Sequence, residues 1–117
     1  RPTHVVVKTV ANKSLTKVYI IQSVDKKIPL DDIADAKNME LEQVYDELEA
    51  IVGAGTKINI DYYIRMIIDE DKVDDIYEYF KESTTDKIDD AMDELGDDYT
   101  EDEIRLVRIK FISEMAN

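Results

Sequence analysis

Apolar side chains recur along most of this chain at three- and four-residue steps, the period of a single helical face. The clearest stripe is Leu41, Val44, Tyr45, Leu48, Ile51 and Val52. It predicts an amphipathic helix from Glu40 to Val52, ended by Gly53-Ala54-Gly55. Upstream, Leu15, Val18, Tyr19 and Ile21, with Ile20 beside them, predict a first helix capped by Asn12 or Ser14 and running to about Val24. Pro29 suits the first position of a short second helix, where its missing N–H would have gone unpaired anyway. That helix turns Leu30, Ile33 and Ala34 inward, and Asn38 supplies a left-handed stop.

Lys57-Ile58-Asn59-Ile60 alternates polar and apolar residues and predicts a short strand. His4 to Val10 is β-branched and reads as a strand or an extended linker. Asp61 opens a fourth helix through Ile68. A fifth starts within Asp69 to Asp71 and runs through Phe80, with Val73, Ile76, Tyr77 and Phe80 inward. Ile88, Met92 and Leu95 mark a sixth helix stopped by Gly96. Thr100 and Glu103 form a capping box that opens a last helix to about Ala116. Its core stripe is Ile104, Val107, Phe111 and Met115. Leu106, Ile109 and Ile112 make it apolar nearly all round, so it is either central to the core or covered by another chain or domain.

The predicted fold is mostly α: a winged-helix-like helix-turn-helix of three helices plus short strands, followed by a C-terminal helical extension. Residues 1–12 are a linker or extended strand from a preceding domain and 13–117 the accessory domain. Within it, 13–60 form the winged-helix-like unit and 61–117 an acidic extension. In the helix-turn-helix, Ala34 is small where the second helix crosses the third, and Met39 and Val44 fill the angle between them. Leu30-Asp31-Asp32-Ile33-Ala34-Asp35 is echoed by Ile88-Asp89-Asp90-Ala91-Met92-Asp93, either through internal duplication or because two acidic amphipathic helices are alike.

Charge changes the functional picture. The 117 residues carry 15 Lys and Arg against 28 Asp and Glu, a net of −13. A phosphate-binding surface over the whole domain is therefore disfavoured, since counterion release needs cations on the protein. Residues 61–117 hold 7 basic and 19 acidic side chains, whereas residues 1–27 hold 6 basic and 1 acidic. The absence of Cys removes disulfide, thiolate-zinc and cysteine-nucleophile chemistry and fits a reducing, cytoplasmic setting. No apolar run approaches the ~18 residues of a membrane span. The chain begins Arg1-Pro2-Thr3-His4 without Met or a signal-peptide layout, and reads as a fragment of a longer protein.

No phosphate-binding loop occurs, because Gly53-Ala54-Gly55 lacks both the length and the following Lys. The lone His4 excludes triad chemistry in practice. Asp69-Glu70-Asp71 with Asp74-Asp75 fails as a calcium loop, having Asp74 at its sixth position and Phe80 at its twelfth, and reads as a solvated helix start. The predicted third helix carries Glu40, Glu42, Asp46, Glu47 and Glu49 with Gln43 between its core positions, and neither Lys nor Arg. As a groove reader it would be repelled by phosphates. Tyr62-Tyr63 and Tyr77-x-Tyr79 are either stacking platforms for single-stranded bases or core packing.

Residues 13–117 resemble the C-terminal accessory helix-turn-helix domain of bacterial RecQ-family ATP-dependent DNA helicases. The resemblance is carried by Lys13-Ser14-Leu15-Thr16-Lys17 leading into Tyr19-Ile20-Ile21, then Ile33-Ala34, Met39, Val44 and Leu48. It continues through Asn59-Ile60-Asp61-Tyr62 and ends in Glu103-Ile104-Arg105-Leu106-Val107-Arg108-Ile109-Lys110. It implies a non-catalytic domain of a parent active in DNA unwinding, recombination and repair. ATP and a divalent metal would belong to the parent's motor domains, and no cofactor to this fragment. Partners would be the parent's other domains, repair proteins, and DNA through the parent. Two surfaces follow from the charges. A basic edge of Lys8, Lys13, Lys17, Lys26 and Lys27 suits nucleic acid, and a face of Glu42, Gln43, Asp46, Glu47, Arg105 and Arg108 suits protein docking or internal pairing.

Overall fold

The computed structural model describes residues 15–116. The chain there folds as seven helices: α1 (15–25), α2 (Leu30–Ala36), α3 (Leu41–Gly53), α4 (Asp61–Ile67), α5 (Glu70–Glu82), α6 (Ile88–Leu95) and α7 (Glu101–Met115). The stretch from His4 to Val10 lies outside the described residues. Helix ends follow local chemistry. Asn38 adopts φ 54° after α2, and Gly96 adopts φ 85° after α6. At α7, the Thr100 hydroxyl accepts from the Glu103 N–H at 3.1 Å while the Glu103 carboxylate accepts from the Thr100 N–H at 2.9 Å. Pro29 sits one position earlier than its sequence suggests, as the N-cap of α2, where its carbonyl accepts from the Ile33 N–H.

The predicted strands are absent among the described residues, and the fold is all helical there. At 57–60 the reason is visible. The Ser113 hydroxyl of α7 accepts from the Ile58 N–H at 2.9 Å and donates to the Ile58 carbonyl at 2.6 Å. One buried hydroxyl thus satisfies both backbone groups that a strand partner would have paired. Alternation of side chains survives, with Ile58 and Ile60 buried and Lys57 and Asn59 exposed, but no ladder forms.

The core is one continuous cluster drawing on all seven helices, and α7 runs through it against α3, α4, α5 and α6. Of the two alternatives for α7, the central one holds. Its buried side chains are Ile104, Leu106, Val107, Ile109 and Ser113, whereas Phe111 is half-buried and Met115 is 55% exposed. The stripe expected at Ile104, Val107, Phe111 and Met115 is therefore displaced: a helix surrounded by neighbours buries several faces, not one. On α1 the buried residues are Ile20, Ser23 and Val24, leaving Leu15 and Val18 exposed. Between α2 and α3, Ala34 and Val44 are buried and Met39 packs partly against them. The Met39 N–H donates to the Ala34 carbonyl at 2.9 Å, which fixes the turn.

Candidate interaction surfaces

Helix α3 occupies the second position of the helix-turn-helix. Val44, Tyr45, Leu48, Ile51 and Val52 anchor it in the core, which leaves its carboxylates on the remaining surface. Two of its flanks are tethered. Arg105 on α7 donates from Nε to Glu49 Oε2 at 3.1 Å, and from Nη2 to Glu49 Oε1 at 2.9 Å and Asp46 Oδ1 at 2.7 Å. The guanidinium also lies 5.4 Å from the centre of the Tyr45 ring. Its side chain is only 11% exposed, and the hydrogen bonds to Glu49 hold its proton more firmly than usual despite the opposing effect of burial. On the other flank, Lys17 of α1 pairs with Glu47. Glu42 and Gln43 remain exposed, although Gln43 Oε1 accepts from the Glu40 N–H at 2.8 Å to cap the helix.

The proposed docking face is thus divided by the structure. Asp46 and Arg105 come together, Glu47 belongs to Lys17, and Arg108 lies apart. Arg108 donates to the Asp86 carbonyl at 2.6 Å and its carboxylate at 3.1 Å. Lys8 and Lys13 of the basic edge lie outside the described residues. Lys26 and Lys27 are exposed in the turn after α1, where Lys27 takes φ 61°. Lys27 and Arg65 line one small hollow with Asn59, and Lys57 lines the next hollow along with the same Asn59. Sequence reading missed Lys57 and Arg65 because their places beside Asn59 depend on how 57–60 is pinned by α7. No local pattern announces it.

The tyrosines are used in packing. Tyr45 and Tyr63 are buried, and Tyr62 is half-buried with its hydroxyl donating to the Ile28 carbonyl at 2.5 Å. Burial, then the neighbouring Tyr63, pushes the Tyr62 hydroxyl up to about 12. Tyr77 and Phe80 meet Phe111 at ring-centroid distances of 5.5 and 5.9 Å.

A groove of about 510 Å³ runs between α4, α5 and α7. Ile64, Ile68 and Val73 supply its apolar lining, and Glu70, Asp74, Asp61, Arg65 and Lys110 its polar one. Lys110 is committed to Asp61 at 2.9 Å and to Glu114 at 2.6 Å. Glu70 and Asp74 make no ion pair or hydrogen bond among the described residues. Among the described residues, no cluster of His, Cys, Asp and Glu is arranged to hold a metal ion, and no helix is long and apolar enough to cross a membrane.

Two short helices meeting through a left-handed turn, with α1 packed behind them, define a helix-turn-helix domain. Residues 14–64 match the family model of the RecQ-1-like helix-turn-helix domain. The match ends within α4. No curated protein matches the chain.

Proposed function

We infer that the chain is a non-catalytic accessory domain of a RecQ-type ATP-dependent DNA helicase acting in recombination and repair, and that it regulates or docks the parent enzyme. The observation that carries this reading is the tethering of α3. A helix placed to enter a major groove instead carries four carboxylates, with a fifth, Glu40, at its N-cap, and its flanks are bound to Arg105 and Lys17. The helix-turn-helix is then a packing and docking unit. ATP and its divalent metal belong to the motor domains of the parent, whose other domains, or repair proteins, are the partners. Deleting residues 13–117 from the parent should change its unwinding or ATPase rate, or abolish capture of a repair protein. An unchanged enzyme with unchanged partners refutes the reading.

A second reading, accessory DNA binding, is favoured by one observation: Lys27 and Arg65 line one hollow beside Asn59, next to the exposed Lys26, although Asp25 and Asp61 line it too. Lys27→Glu with Arg65→Glu should then weaken binding to forked DNA at low salt and shallow its salt dependence by about one or two phosphate contacts. Equal binding by variant and parent sequence would exclude this corner.

A further inference from the structure

We propose that α5 and α6 form a charge-strained flap, which opens from α7 while α2 and α3 stay folded and which screening cations hold shut. The inference stands on packing and charge and does not depend on the docking function above. Both helices pack chiefly on α7 and on each other, and their contact with α2, α3 and α4 is marginal. Helix α7 therefore serves two groups of helices that hardly touch. The flap is also thinly anchored. Its buried side chains are Ile76, Phe80 and Ala91, whereas α2 and α3 bury eight apolar side chains between them. Its polar ties to α7 and the preceding turn join Tyr77 to Glu114, Tyr99 to Asp75, Arg108 to Asp86 and Lys72 to Glu103. The first three are solvent-exposed, and the last is long at 3.5 Å.

Charge supplies the strain. Residues 69–98 carry 14 acidic and 3 basic side chains, a net of −11 out of the chain's −13. Among the described residues, only two of those carboxylates, Glu78 and Asp86, meet a cation. Glu70, Asp74, Glu78 and Glu82 form a row at four-residue steps along α5, and Asp89–Asp93 and Asp90–Glu94 repeat that spacing on α6. Like charges so placed destabilise a helix, and concentrated net charge disfavours the compact state. Opening lets these charges separate, as a sub-global unfolding step, and uncovers Phe111, on which the Tyr77 and Phe80 rings rest. Screening ions relieve the repulsion and favour closure.

Amide hydrogen exchange of the intact chain tests this. At low salt, the protected amides of α5 and α6 should exchange on the order of tenfold or more faster than those of α2 and α3, with a weaker dependence on urea. Raising NaCl to about 0.3 M should slow them several-fold. Asp74→Asn with Asp93→Asn, both exposed, should slow them too. The chain has no Cys, so single cysteines give a second readout. Ala91→Cys on α6 and Ala34→Cys on α2 make the same change at buried positions. A thiol reagent should label the first on the order of tenfold faster at low salt, and added NaCl should slow that labelling. Equal exchange and equal urea dependence across α2, α3, α5 and α6 would show one cooperative unit and overturn the proposal. A fast flap indifferent both to salt and to Asp74→Asn with Asp93→Asn would show weak packing without charge strain, and overturn it as well.

Discussion

Replacing Arg105 with Ala tests how firmly α7 holds α3. The side chain is 11% exposed and binds Glu49, itself 23% exposed, through two hydrogen bonds at 2.9 and 3.1 Å. Such a bidentate, charge-assisted contact contributes roughly 1.5–3 kcal/mol. The bond to Asp46 adds little by comparison, because the Asp46 carboxylate is 68% exposed and solvent screens it. The loss should come to about 2–3 kcal/mol, or on the order of 10 °C in Tm for a domain of this size. Urea unfolding followed by circular dichroism measures it. In a double-mutant cycle, Arg105→Ala and Glu49→Ala should couple by about 1–2 kcal/mol, while the coupling with Asp46→Ala stays below about 0.5 kcal/mol. A Glu49 coupling indistinguishable from zero would refute the clamp.

Ser113→Ala should cost roughly 2–4 kcal/mol, since it orphans both the Ile58 N–H and its carbonyl in the core, and should speed hydrogen exchange at the Ile58 amide. Unchanged exchange would count against the clamp. Gly96→Ala forces a side chain into φ 85° and should destabilise by about 1–2 kcal/mol, whereas Gly53→Ala, in helical backbone with open space around it, should stabilise by a few tenths to about 1 kcal/mol. Thermal melts rank the two, and the reverse order would contradict the assigned backbone. Partial burial pushes the Glu114 carboxyl up, but hydrogen bonds from Lys110 and Tyr77 outweigh it and hold the group below its ordinary value of 4.5. Its contribution to stability is therefore complete above that value and lost as pH falls through the lower folded one. Lys110→Met should flatten this acid limb in urea midpoints against pH, and an unaltered limb would contradict the pairing.

The helices and their stops are legible in the sequence because helical periodicity, Asn38, Gly96 and the Thr100–Glu103 box act within a turn or two of chain. What distance decides is not. Ile58 pairs with a serine 55 positions away, so an alternating segment that looks like a strand loses its ladder. Leu106 and Ile109 already mark α7 as apolar nearly all round, but which of its faces are buried, leaving Met115 exposed, depends on its neighbours on several sides. For the candidate surfaces, the acidity of α3 and the Arg residues of α7 are plain in the sequence. That Arg105 takes Glu49 while Arg108 takes Asp86 depends on helix packing.

Backbone-amide resonances during titration with duplex DNA at low salt test the central claim, that α3 is a tethered packing helix and no groove reader. The account predicts still signals at Glu42, Gln43 and Asp46, with any displacement confined to the neighbourhood of Lys27, Lys57 and Arg65. Saturable shifts along the exposed face of α3, lost on Gln43→Ala, would contradict it.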